Sequence, residues 1–153
     1  MSTLLSEIKQ SRPFPSPGLE TGVALLRTAV QLKRKLEKEM SAHGLTLQQF
    51  NVLRILRGAG EALPTMEIAD RMVEPEPGIT RLLGRIEQKG LITRTQCKED
   101  RRRVLAEITH EGAERLDQIG EPSDYLVEGD TPLSKAELDS LMTLLAKVRH
   151  TLE

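Results

Sequence analysis

Aromatic side chains are almost absent from this chain of 153 residues: no tryptophan, one tyrosine and two phenylalanines. Its core must therefore be aliphatic, carried by Leu, Ile, Val, Ala and Met. A single cysteine, Cys97, excludes an intramolecular disulfide, and no CxxC or Cys/His spacing fits a zinc site. His43, His110 and His150 are far apart, so their spacing supports no metal centre. No apolar run approaches the ~20 residues of a membrane span, and the N-terminus lacks a signal-peptide layout, so a cytoplasmic location is expected. There is no phosphate loop and no nucleophile–base arrangement. Neither an enzyme nor a bound cofactor is expected.

The formal net charge of -1 conceals a strong asymmetry. Residues 78–109 hold eight Lys/Arg against four acids, a local excess of +4. The rest of the chain holds 14 basic and 19 acidic residues, a deficit of -5. A basic stretch on an acidic body can hold a polyanion in one orientation.

Along the chain, Met1–Pro17 contains three prolines and reads as an extended N-terminal arm. Gly18–His43 reads as one long helix with two apolar stripes, Leu19/Val23/Leu26/Val30 and Leu25/Ala29/Leu32/Leu36/Met40. Two stripes predict burial on two sides, one against the domain core and one against a partner subunit. Gly44 is the expected C-cap. Thr46-Leu-Gln-Gln49 fits a capping box for a helix to Leu56, ended by Gly58 and Gly60. Thr65, read as an N-cap, opens a short helix to Met72. A turn with Pro75 and Pro77 follows, then a helix over Gly78–Lys89 stopped by Gly90. Leu82, Leu83 and Ile86 are expected inside that helix, and Arg81, Arg85, Gln88 and Lys89 outside.

Two strand-like runs, Leu91–Gln96 and Val104–Ile108, flank a charged tip, Lys98-Glu-Asp-Arg-Arg-Arg103. Thr109 then caps a helix over His110–Ile119, and Gly120, Pro122 and Ser123 break it. The segment to Pro132 reads as loop or irregular helix. Ser134-Lys-Ala-Glu137 is a second capping box, before a last helix carrying Leu138, Leu141, Met142, Leu145, Val148 and Leu152. A short helix, a turn, a polar-faced helix and a basic-tipped hairpin make the layout of a winged helix-turn-helix, which docks on duplex DNA.

The chain resembles the MarR family of bacterial transcription regulators over about Leu45–Leu116. The motifs are Leu45-Thr-Leu-Gln-Gln-Phe-Asn-Val-Leu53, Ile79-Thr80-Arg81-Leu-Leu83, Glu87-Gln-Lys-Gly90-Leu-Ile92, Glu99-Asp100-Arg101-Arg102 and Ile108-Thr109-His-Glu-Gly112. The resemblance implies a mainly α fold with a small β-hairpin. A winged helix-turn-helix domain (45–109) would be flanked by dimerisation helices at 18–44 and 110–153. It implies a homodimer on a palindromic operator. Thr80 and Arg81 fall on the recognition helix; Asp100 and Arg102 fall on the family's Asp-x-Arg wing motif, with the Arg in the minor groove and the Asp bracing the wing. Members respond to small aromatic acids, phenols, metals or oxidants. Two features depart from the pattern: Gly84, where the family has Asp or a similar polar residue, and the irregular stretch Pro122–Pro132.

Each of these residues has a plainer reading. Arg101, Arg102 and Arg103 could be a solvated hairpin tip, and Arg81, Arg85 and Lys89 an ordinary exposed helix face. Beside the wing and turn, a groove-facing role is favoured for Arg102 and for the helix cations, with Arg85 for a base edge and Lys89 for phosphate, while strand alternation leaves both readings open for Arg101 and Arg103. Arg94 and Lys98 complete the basic set. Thr65 is read as a cap whose helix end also meets a phosphate. Cys97 is either an incidental small residue or a reactive thiolate favoured by nearby Arg and Lys. Phe50 and Tyr125 could line an aromatic-ligand pocket, or Phe50 could simply be core. The function expected is a DNA-binding regulator, a repressor released by ligand or oxidant. The alternative is a winged-helix protein-interaction module without DNA binding.

Overall fold

A helix stands where the prolines predicted an extended arm. In the computed structural model, which describes residues 3–120 and 132–153, α1 spans Thr3–Glu7. Leu4 and Leu5 are buried, and Ile8 and Gln10 donate backbone hydrogen bonds to their carbonyls. Pro13, Pro15 and Pro17 come after this turn, so they restrict residues 12–17 and leave 3–7 free to coil.

Ser16 caps α2 (Pro17–Ala42) by accepting from the Leu19 N–H, and Pro17 takes the first helical position, where no N–H is needed. The helix ends as Gly44 predicted. At φ 71° Gly44 donates to Ser41 O while Leu45 donates to Met40 O, the paired bonds of a Schellman motif. Met40 and Leu45 are both buried. Within the single chain Met40 is the only fully buried residue of α2, and Leu19, Leu26 and Val30 of the first stripe are exposed, Leu26 at 69%.

The capping box of Thr46 and Gln49 opens α3 (Leu47–Ala59) as expected. Gly60, at φ 68°, ends it, while Gly58 stays inside. Next comes β1 (Leu63–Pro64), a two-residue edge strand too short to leave a period in the sequence. It leads into α4 (Thr65–Arg71), then α5 (Ile79–Gln88), β2 (Ile92–Gln96), β3 (Val104–Ile108) and α6 (His110–Ile119). The expected hairpin is thus part of a three-stranded antiparallel sheet, ordered β1-β3-β2, with Leu63 opposite Ala106 and Ile92 opposite Ile108.

The Thr109 motif has a packing explanation. The Thr109 side chain caps α6 by accepting from Gly112 N, and its hydroxyl donates to Gly90 O at 2.7 Å. A Cβ on Gly112 would lie 2.1 Å from Leu91 O and 2.8 Å from Ile108 Cγ1, so only glycine lets α6 approach the strand this closely. The aliphatic core behind this arrangement includes Leu53, Leu56, Ile68, Leu83, Ile86, Leu91, Ile92 and Leu116.

The chain divides at residue 120. In the second unit, the Ser134/Glu137 capping box opens α7 (Lys135–Leu152). None of its residues is fully buried, and Met142, Leu144 and Leu152 are exposed. Among the described residues, no helix is long and apolar enough to cross a membrane.

Candidate nucleic-acid interface

Burial of one face fixes the direction of α5. Ile79, Leu82, Leu83 and Ile86, at i, i+3, i+4 and i+7, are buried. Thr80, Arg81, Arg85 and Gln88 are left on the exposed side. The turn before the helix is held by Glu76, whose Oε1 accepts from Gly78 N at 3.1 Å. Arg81 and Arg85 border a shallow concavity with Thr46, Gln48, Glu76 and Leu82. Among the described residues neither has an acidic partner within ion-pair distance.

The wing is built by Asp100. Its Oδ1 accepts from Arg102 N at 3.0 Å, and its carbonyl accepts from Arg103 N at 2.9 Å. These bonds make an Asx turn inside a β-turn, with Arg101 and Arg102 at the two corners. The hairpin is closed below by Cys97 N donating to Arg103 O at 2.9 Å. Lys98, Arg101, Arg102 and Arg103 are exposed, again without an ion pair among the described residues. Cys97 is a half-buried free thiol at the neck of the wing.

Three residues of the expected basic and capping set have partners within the protein. Arg94 faces the protein: its Nε and Nη2 bond Glu87 Oε2 at 2.9 and 2.7 Å, and its backbone N–H bonds Oε1 at 3.1 Å. The guanidinium holds the Glu87 carboxyl below its ordinary range. Lys89 is committed as well, donating to Gly44 O at 2.7 Å and Gln49 Oε1 at 3.1 Å. Thr65 is the first helical residue rather than the cap. Pro64 occupies the cap position, and the Thr65 hydroxyl donates to Val104 O at 3.2 Å, joining α4 to the base of the wing.

Phe50 lies in the aliphatic core. It is buried, and the Arg54 guanidinium lies 5.8 Å from its ring centre. Tyr125 and the Pro122–Pro132 irregularity fall on residues 121–132, of which 121–131 lie outside the described residues. Among the described residues no group of three or more His, Cys, Asp or Glu could hold a metal ion.

Glu87 and Gly84 are the residues whose place in the site sequence reasoning missed. Strand alternation carries a signal for the first: Arg94 shares a side with the buried Ile92, so it turns toward the protein, where a half-buried guanidinium is favoured beside a carboxylate. A Cβ at Gly84 would lie 3.6 Å from Arg94 Nη2, an ordinary contact, so the guanidinium packs beside this position of the recognition helix.

Comparison with known proteins agrees with this geometry. The model of the MarR family matches residues 43–103. A MarR transcription factor from Planctomyces limnophilus is 33% identical over 92% of this chain and 95% of its own, with a TM-score of 0.63. A mutant MarR from E. coli, solved in complex with operator DNA, is 27% identical over 96% of this chain and 99% of its own, with a TM-score of 0.70. The transcriptional regulator FarR of Neisseria gonorrhoeae is 26% identical over 92% of this chain and 98% of its own. The chain belongs to the MarR family of transcription regulators.

Proposed function

We propose that this chain acts as a homodimeric, sequence-specific DNA-binding regulator, a repressor released by a small aromatic ligand or an oxidant. The observation that carries this reading is the set of exposed cations on two adjoining elements, none in an ion pair among the described residues. Arg81 and Arg85 stand on α5, and Lys98, Arg101, Arg102 and Arg103 on the wing that follows it. In a major groove, Arg85 has the length and fork geometry to read a guanine edge, with Thr80 and Arg81 beside it on the backbone. Arg102, at the corner of the braced turn, suits the narrow, electronegative minor groove. Lys98, Arg101 and Arg103 neutralise phosphates.

A second copy of the chain would cover the apolar surfaces that this one leaves open. Leu19, Leu26 and Val30 of α2 and Met142, Leu144 and Leu152 of α7 are all exposed. Two winged helices related by a two-fold axis read a palindrome with half-sites about one turn, ~10 bp, apart. The half-buried Cys97 at the wing's neck is where oxidation would act on DNA binding most directly.

Selection of duplexes from a random-sequence library by the purified protein tests the reading. The expected outcome is enrichment of a palindrome with that half-site spacing. A pool that stays random through successive rounds would contradict it.

A further inference from the structure

The turn before the recognition helix and the residue that follows it are both tied to α2. Before α5, Glu74 lies in the turn that leads into it, and both its carboxylate oxygens are 2.8 Å from Lys33 Nζ. Glu37, one turn along α2, is also 4.0 Å from that ammonium. After α5, Lys89 Nζ reaches back to Gly44 O, in the Schellman turn that ends α2, and to Gln49 Oε1.

The acceptors at the second tie are well fixed. Gln49 is the one buried polar residue among those described, and its Oε1 also accepts from Thr46 N in the capping box of α3. Gly44 O lies at the negative end of the α2 dipole, where a cation is favoured. Arg115 of α6 adds a second cation there, donating to His43 O at 3.1 Å. The two attachment points on α2, Lys33 and Gly44, are separated by about 16 Å of helix, close to the ~15 Å length of α5. A rod held near one end can pivot; a rod held near both ends keeps its direction.

We propose that Lys33 and Lys89 are positioning residues that lock the recognition helix to α2, so that α2 sets the spacing of the two recognition helices in the dimer. The proposal rests on the DNA-binding dimer described above. It assigns Lys89 to the protein rather than to phosphate. Two of its three N–H donors are already used.

The test uses the full-length protein and its Lys89→Met and Lys33→Met variants, each first shown to be folded by thermal melting. Lys33→Met keeps the test open should Lys89→Met not fold. The probes are the palindromic duplex recovered by library selection and two versions with one base pair added or removed at its centre. Wild type should prefer the original spacing. In each variant that preference should fall by roughly fivefold or more, comparable to the lower end of what one mismatched base pair costs. The slope of log affinity against log salt should stay at the wild-type value.

Two results would overturn the proposal. One is an unchanged spacing preference in the folded variants. The other is a Lys89→Met slope reduced by about 1.8, the value expected if each subunit of the dimer neutralised one phosphate fewer. If selection recovers no duplex for wild type, the DNA-binding reading itself fails, and the spacing proposal fails with it; the two failures are told apart by the wild-type arm.

Discussion

In the DNA-binding reading proposed above, Asp100 and Arg102 divide the work of the wing between shape and charge. Replacing Arg102 with Ala removes a cation, so operator affinity should fall and the salt slope should drop by about 0.9 per subunit. Replacing Asp100 with Ala removes an anion, and electrostatics alone would tighten binding. The Asx bond from Arg102 N to Asp100 Oδ1 argues the opposite, because without it the two arginines lose their fixed corners. Fluorescence anisotropy should show Asp100→Ala binding the operator severalfold more weakly than wild type, despite its gain in positive charge. Tighter binding by this variant would show that the Asp does not brace the wing. Glu87 allows a test by pH. Its carboxyl is held below the ordinary value of 4.5 by hydrogen bonds from Arg94. A depressed pKa adds stability above that value, which is lost as pH falls through the lower folded-state pKa. In Glu87→Gln, urea midpoints should start lower at neutral pH and decline less steeply below pH 4.5. The wing was legible from residue order alone, whereas the inward turn of Arg94 required weighing strand alternation against the pull of a basic cluster.

Glycines in two helices should respond in opposite ways to the same substitution. Gly112→Ala places a methyl 2.1 Å from a backbone carbonyl that cannot rotate away, and should destabilise by about 1–3 kcal/mol or more in denaturant unfolding. Gly84→Ala meets Arg94 Nη2 at an ordinary 3.6 Å contact, and should stabilise α5 by roughly 0.5–1 kcal/mol. A destabilised Gly84→Ala would show that the packing beside Arg94 is tighter than its geometry. Helix ends were the most readable elements of this chain. The boxes at Thr46/Gln49 and Ser134/Glu137 and the turn at Gly44 all form where hydroxyl, carboxamide or carboxylate, and glycine spacing place them. The strand β1 and the helix α1 were not readable. Two residues carry no period, and the Leu4-Leu5 pair is too short to show one. Thr65 misled because a threonine before an apolar helix reads as a cap, while β1 places Pro64 there and turns the hydroxyl to Val104.

Taken together, the chain exposes two kinds of surface, each needing a different partner. The apolar stripe of α2 and the apolar residues of α7 call for a second copy, and light scattering should give twice the 17.1 kDa chain mass. Periodicity revealed two stripes on α2 but not which lies against the chain's own core, since that depends on tertiary packing. The basic surface on α5 and the wing calls for duplex DNA. The most direct test is a titration of the dimer with its selected palindromic duplex, read by anisotropy at two salt concentrations against a scrambled competitor. The account predicts binding that resists the competitor and weakens steeply as salt rises. Equal affinity for both duplexes, or affinity indifferent to salt, would contradict it.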